Sequence, residues 1–225
     1  MEKVRPETCR NMAGMAETCG RAIMTKIVNV LLDRDGTIIR DKHYLADPAG
    51  VELFPGTTVG LRNLTAAGMR LFIVTNQSGI GRGYFSERDY YACHAALENF
   101  LRTDGVFFEG SVFCPHAPEM GCDCRKPSVG MWQALVAKYG LDPSCTVMVG
   151  DKVEDIAFGK NANVAATVLV LTGKGTDTAK KLKLSLPGPG EAYRAVVAPE
   201  VGQLPDAVAH DLSGAANYIL DLNGR

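Results

Sequence analysis

Val30-Leu31-Leu32 runs straight into Asp33-Arg34-Asp35-Gly36-Thr37. An apolar run this short, ended abruptly by polar residues, reads as a buried parallel strand and not as a helix. In an open α/β sheet the carboxyl end of such a strand is where ligands bind. Asp33 and Asp35 can then both face the crevice. Two carboxylates so close repel each other, and they are tolerable with a cation between them or with one proton retained. The competing reading is a strand-terminating turn, with Asp and Gly present for turn chemistry alone.

Later segments bear on that choice. Residues 38–54 are too irregular for a strand or helix and read as a flap over the strand edge, carrying Asp41-Lys42-His43-Tyr44. A helix is expected from Pro55-Gly56-Thr57 to Gly68, with Val59, Leu61 and Leu64 inward. A second strand, 71–74, ends in Thr75-Asn76-Gln77-Ser78-Gly79. Ser86-Glu87-Arg88-Asp89 reads as a capping box opening a helix to about Leu101. A third, shorter strand at 111–114 leads into a cysteine cluster, and a helix over 128–139 stops at Gly140. A fourth strand, 146–149, ends in Gly150-Asp151-Lys152, followed by a helix over 153–161 and a fifth strand at 167–171. The turn-rich tail carries a short strand near Val196 and closing helices after Leu204. Strands alternating with helices predict an α/β fold with a doubly wound, mainly parallel sheet.

The 225 residues allow one sizeable core, and a single domain over 24–225 is expected. Residues 1–23 show neither periodicity and carry Cys9 and Cys19; Met24 is expected to be the natural start, the leader adding nothing to function. A formal net charge of −1 gives no general attraction to nucleic acid or anionic membrane. The longest apolar run, 164–171, falls far short of the ~20 residues that span a bilayer. With no signal-peptide stretch at its amino terminus, the protein is expected in the cytoplasm, as a monomer. Seven cysteines, three of them crowded between 114 and 124, argue for metal over disulfide in a reducing compartment.

Four strands thus end in reactive residues: Asp33 and Asp35, Thr75 and Asn76, Cys114, then Asp151 and Lys152. Turn chemistry alone is a poor account of so many polar ends on one edge. Asp151 supplies the further carboxylate that Asp33 needs to hold Mg²⁺, a hard ion that takes one or two carboxylates plus water and substrate phosphate. Thr75, Asn76 and backbone amides suit phosphate oxygens, and Lys126 or Lys152 can neutralise them. Cys114-Pro115-His116 followed by Cys122-Asp123-Cys124 offers three thiolates and an imidazole, a closed tetrahedral set for a structural Zn²⁺. Arg125-Lys126 follows the last ligand at once, so pinning this loop would fix both cations over the crevice. Cys93 and His94, mid-helix, read as packing or surface residues, and Cys145 as a buried small hydrophobe. Thr172-Gly173-Lys174-Gly175 lies in no phosphate-binding loop of the Gly-x-x-x-x-Gly-Lys-Ser/Thr kind.

Asp33-Arg34-Asp35-Gly36-Thr37, Thr75, Lys126 and Gly150-Asp151 resemble, in order, the four motifs of the haloacid dehalogenase-like phosphatases. The resemblance covers roughly residues 26–175. It implies that Asp33 attacks phosphorus to form an aspartyl phosphate, and that Asp35 protonates the leaving oxygen and then activates water. It further implies Mg²⁺ on the carboxylates of Asp33 and Asp151 and the main-chain oxygen of Asp35, with Thr75 and Lys126 completing the catalytic set. With no second large domain, the chain looks like a capless member with a zinc-binding loop, its specificity left to loops.

The Cys-x-His and Cys-x-Cys-Arg-Lys-Pro pattern resembles two bacterial branches, the heptose 1,7-bisphosphate phosphatases and the histidinol-phosphate phosphatases. Residues 75–87 and the flap look closer to the heptose branch, although that branch usually has Gly where His43 stands. The implied substrate is a small sugar bisphosphate losing its 7-phosphate, on the way to nucleotide-activated heptose and lipopolysaccharide core. Arg34, Asp41, Lys42, His43, Tyr44, Asn76, Gln77, Ser78, Arg125 and Lys152 are the residues expected to bind it. Histidinol phosphate, or another small phosphomonoester, is the alternative. A zinc-bearing scaffold without catalysis is disfavoured by the complete motif set. A polynucleotide 3′-phosphatase is disfavoured by the zinc cluster and the neutral charge.

Overall fold

The computed structural model describes residues 26–197 and 204–224. The expectations for residues 1–23 and Met24 lie outside these. Strands β1 (Asn29–Leu32), β2 (Arg70–Asn76), β3 (Phe108–Cys114), β4 (Thr146–Gly150), β5 (Ala166–Val170), β6 (Tyr193–Ala195) and β7 (Ala207–Ala209) form a seven-stranded sheet in the order β3-β2-β1-β4-β5-β7-β6. Every pairing is parallel except that of β6 with β7. The doubly wound, mainly parallel sheet expected from the alternation of elements is what forms.

The strand residues alternate between two apolar layers. Val30 and Leu32 of β1 join one core with Leu61 and Leu64, Leu97 and Leu101, and Leu212 and Ile219. These belong to helices α1 (Thr57–Ala66), α3 (Glu87–Arg102) and α7 (Leu212–Leu222). Leu31 joins the opposite core with Met131, Trp132, Leu135 and Phe158, from α4 (Gly130–Tyr139) and α5 (Val153–Asn161). A strand covered on both faces must be apolar throughout, which is why β1 reads as a continuous hydrophobic run.

Several boundaries differ from expectation. Val59 is exposed (54%), because α1 turns Gly60 inward, where a Cβ would strike the Leu212 carbonyl of α7. Glycine there lets the two helices approach, and the inward face runs Thr57, Gly60, Leu61, Leu64. Strand β3 is as long as β2, seven residues, not short. The single turn α2 (Ser78–Gly81), helix α6 (Gly175–Lys181) and strand β7 carry no strong periodicity in sequence. The capping box on Ser86 and Asp89 forms as read.

From β1 the chain steps outward to β2 and β3, then returns to place β4 on the other side of β1. That reversal is the topological switch point of the sheet, where strand ends leave a crevice. Asp33 and Asp151 emerge on its two sides. No helix among the described residues is long and apolar enough to cross a membrane.

Candidate active site

The chain leaves β1 with the Asp33 N–H still donating to Val149 of β4 at 3.0 Å. It then coils around the Arg34 carbonyl, which accepts from Ile38 and Ile39 at 2.9 and 3.0 Å. Gly36 makes the coil possible. It adopts a φ of 104°, and a Cβ there would meet the Asp151 carboxylate. Gly173 closes on Asp151 from the other side, and the Lys174 N–H donates to Asp151 Oδ2 at 2.8 Å. The segment 172–175, set aside on sequence grounds, therefore helps to hold the Asp151 carboxylate. Thr37 Oγ1 donates to Oδ1 of the same carboxylate at 3.2 Å.

Three buried carboxylates, Asp33, Asp151 and Asp155, bring oxygens within 4.8 Å of one another. Asp155 was not singled out from the sequence. Its available signal was an Asp four residues after Asp151, which reads as an ordinary acidic residue in the first turn of a helix. Its Oδ2 does cap the Lys152 N–H at 2.9 Å. Its Oδ1, however, takes the Lys126 ammonium at 2.6 Å.

Lys126 is 2% exposed and donates to Asp33 Oδ1 at 2.7 Å and to the Val74 carbonyl at 2.7 Å. With Asp155 this occupies all three ammonium protons. Lys126 thus bridges two carboxylates, with no proton left over for a phosphate oxygen. Burial works against its charge, but Asp155 and Asp33 outweigh that and raise its pKa above the ordinary lysine value. The same ion pair keeps Asp33 ionised: burial opposes the charge, and Lys126, then Lys152, lower its pKa. Asp151 has no such partner at its carboxyl. Burial pushes it up to about 8, with Asp33 and Asp155 adding to the effect against the pull of Lys152.

This cluster fits a divalent cation. Asp33 Oδ2 is buried and has no hydrogen-bond partner, and a solitary buried carboxylate oxygen is costly unless a cation or proton meets it. Oxygen-only donors of this kind suit Mg²⁺. The main-chain oxygen of Asp35, expected as a further ligand, accepts from Lys152 Nζ at 3.0 Å. Burial opposes the Lys152 charge, but Asp33, Asp151 and Asp155 raise its pKa above the ordinary value.

The second expected metal set also assembles. Cys114 Sγ lies 3.5 Å from Cys122 Sγ and 3.2 Å from Cys124 Sγ, and His116 Nδ1 lies 3.2 Å from Cys124 Sγ. These spacings are close to the edges of a tetrahedron around an ion with ~2.3 Å bonds to sulfur. Burial pushes the Cys114 thiol up to about 12, with Cys124 adding to it, so four donors without a cation are a poor arrangement. A closed Cys₃His set fits Zn²⁺ in a structural role. The loop is seated on α2: Gln77 N–H donates to Cys114 O at 2.7 Å and Gly81 N–H to Pro115 O at 2.8 Å. A Cβ on Gly81 would collide with that loop backbone.

These elements enclose a cavity of about 260 Å³. Asp33, Asp35, Thr75, Asn76, Gln77, Ser78, Arg125, Lys126 and Lys152 line it, with Asp41, His43 and Tyr44 from the flap. Arg125 NH1 is buried there without a partner. His43 and Tyr44 both take left-handed φ, 47° and 64°. The backbone that glycine would favour is therefore kept with histidine in place, braced by the His43 N–H on Asp41 Oδ1 at 3.1 Å.

Four expected substrate contacts have other duties. Arg34 does not line the cavity; it is 1% exposed and its guanidinium pairs with Asp35. Lys42 lies outside it as well, paired with Glu52 at 3.1 Å beside a neighbouring shallow depression. The Asn76 amide clamps the Lys126 backbone, accepting from its N–H at 3.0 Å and donating to its carbonyl at 3.2 Å. Gln77 Nε2 donates to Asp35 Oδ2 at 2.7 Å and to Thr75 Oγ1 at 2.9 Å. Sequence position alone could not distinguish a side chain that faces a ligand from one that holds its neighbour. Cys93 and His94 are buried in α3, and Cys145 is buried ahead of β4.

Residues 22–163 match the family model of haloacid dehalogenase-like hydrolases, and residues 123–215 a second model of HAD-hydrolase-like proteins. The chain is 42% identical over 159 residues to a D-glycero-β-D-manno-heptose-1,7-bisphosphate 7-phosphatase of Pasteurella multocida, covering 68% of this chain and 86% of that one. A protein of the same name from Haemophilus ducreyi is 40% identical over 164 residues, covering 70% and 90%. A crystal structure of D,D-heptose 1,7-bisphosphate phosphatase from B. bronchiseptica, complexed with magnesium and phosphate, superposes with a TM-score of 0.72. It is 30% identical, with 87% of this chain and 99% of that one covered.

Proposed function

Since this chain belongs to the haloacid dehalogenase-like hydrolases, we propose that it is the phosphatase that removes the 7-phosphate from D-glycero-D-manno-heptose 1,7-bisphosphate. The observation that carries phosphoryl transfer is Lys126. Its ammonium holds Asp33 Oδ1 and Asp155 together and leaves Asp33 Oδ2 uncommitted in a buried, anionic crevice. Mg²⁺ held by Asp33, Asp151 and Asp155 would supply positive charge that screens a phosphate from an attacking carboxylate.

The chain's own residues account for the rest. An Asp33 oxygen attacks phosphorus, and the bond from phosphorus to the C7 oxygen breaks. Asp35, carrying a proton at that moment, gives it to the departing alkoxide. Water then attacks the aspartyl phosphate, Asp35 takes its proton, and inorganic phosphate leaves with Asp33 restored. Lys126 and Lys152 keep Asp33 ionised and therefore nucleophilic.

The choice of substrate is supported by the two relatives and by the outer cavity. Arg125 NH1 has no protein partner, and a planar guanidinium suits a second phosphate or a pair of hydroxyls. Asp41, His43 and Tyr44 add donors and acceptors for a polyhydroxylated body. The test is kcat/KM for the heptose bisphosphate against histidinol phosphate, with Asp33→Asn as the blank. A preference of at least ~10²-fold for the bisphosphate is expected, about 2.7 kcal/mol of transition-state discrimination. Preference for histidinol phosphate would overturn the substrate, and turnover by Asp33→Asn near the unmodified rate would overturn the mechanism.

A further inference from the structure

Arg34 is among the largest fully buried side chains, yet it meets neither the cavity nor a distant acid. It turns back on the next residue in the chain. Its Nε donates to Asp35 Oδ2 at 3.0 Å and its NH2 to Asp35 Oδ1 at 3.2 Å, a two-pronged grip on both carboxylate oxygens. Asp35 itself remains partly open, 17% exposed against 1% for Arg34. Gln77 closes the grip from the far side, through its bond to Asp35 Oδ2.

Arg34 is in turn fixed from behind. Its guanidinium lies 4.8 Å from the ring centre of Tyr90, which is buried in α3 and packed on Phe113 of β3 at 4.2 Å. Stacking on an aromatic face and a fork on a carboxylate are what distinguish arginine from lysine. A buried arginine is expensive to desolvate, and one placed to serve a single, partly open acid orients that acid. Arg34 NH1 is left without a partner, so the site accepts an unmet donor in order to keep the fork.

We propose that Arg34, with Gln77, is a positioning residue that holds the Asp35 carboxyl in the one orientation from which it can pass a proton to the leaving oxygen. This rests on the reading of Asp35 as the proton donor. Proton transfer matters in proportion to how poor the leaving group is. An alkoxide from C7 of a sugar needs the proton, whereas p-nitrophenolate leaves without it. A merely structural role for Arg34 would depress both substrates alike.

The experiment compares kcat/KM for the heptose bisphosphate and for p-nitrophenyl phosphate in the wild type, Asp35→Asn, Arg34→Gln, Arg34→Lys and Gln77→Leu. Arg34→Gln and Arg34→Lys are expected to lose at least ~10-fold on the sugar phosphate and under ~3-fold on the aryl ester, since small misplacements of a reacting group are costly. Equal losses on both esters, or a Lys variant as good as wild type, would overturn the positioning role. If Arg34→Gln does not fold, Gln77→Leu decides, with the same selective loss expected. Asp35→Asn separates the two readings: if it shows no leaving-group dependence, the assignment of Asp35 fails. If it does and the Arg34 and Gln77 variants do not, the present proposal alone fails.

Discussion

Asp155 accepts from Lys126 at 2.6 Å, and both side chains are 2% exposed. The pair joins the first turn of α5 to the end of the cysteine loop, two segments that meet only through the fold. Because the same ammonium also reaches Asp33 at 2.7 Å, Asp155 governs where the charge beside Asp33 sits. Asp155→Asn keeps the shape but weakens that hold and removes one of three anionic cation donors. The Mg²⁺ concentration for half-maximal activity should rise by ~10- to 100-fold, read from Mg²⁺ titrations of phosphate release. An unchanged Mg²⁺ requirement would show that Asp155 contributes nothing to the cation site.

The pH dependence of stability follows from Asp151. Its carboxyl is pushed up to about 8 by burial, against an ordinary value of 3.8. Between those two values the folded state binds more protons than the unfolded state, so stability falls as pH rises through that window. The Asp33 shift has the opposite sign and acts below its ordinary value of 3.8. Mg²⁺-free protein should therefore melt at a lower temperature at ~pH 8.5 than at ~pH 5.5, and added Mg²⁺ should raise Tm more at the higher pH. Thermal melts with and without Mg²⁺ check this; a Tm that is flat with pH and insensitive to Mg²⁺ would contradict it.

Zinc content is directly measurable. Elemental analysis after removal of Mg²⁺ should find about one zinc per chain. Cys122→Ser should lose that zinc, lower Tm, and lower activity through displaced Arg125 and Lys126, since no donor of the cluster lies in the 260 Å³ cavity. A zinc-free, fully active and equally stable variant would make the cluster incidental.

The flap makes a conformational prediction. His43 has a φ of 47°, which a β-branched side chain tolerates poorly. His43→Val should destabilise by about 1–2 kcal/mol, while His43→Gly should leave the stability equal or slightly higher. Denaturant unfolding of both variants measures the difference. A Val variant as stable as the Gly variant would show that the left-handed backbone is not held in solution.

The alternation of apolar runs with helical segments was enough to read a mainly parallel sheet, because burial on both faces leaves no other pattern for a central strand. Asp33, Asp35, Thr75, Lys126 and Asp151 were readable as well, each standing at or just beyond a strand end or beside the cysteine cluster. The Cys₃His set was readable because all four donors lie within one short stretch. Asp155 was not, since an acid in the first turn of a helix has an ordinary local explanation. The outward Val59 was misread because Gly60 faces α7, a contact between distant parts of the chain.

What the sequence determined alone is the chemistry at each strand end, since residue type and burial period are local properties of the chain. Only the tertiary structure decided how those groups share their charges. The return of the chain from β3 to β4 sets Asp151 across the crevice from Asp33. It brings Lys126 to two acids at once, and engages Arg34, Asn76 and Gln77 with Asp35 and Lys126. Each of these outcomes depends on distances across the sheet edge. A hydrogen bond or ion pair is decided by a few tenths of an ångström, which no spacing along the chain encodes.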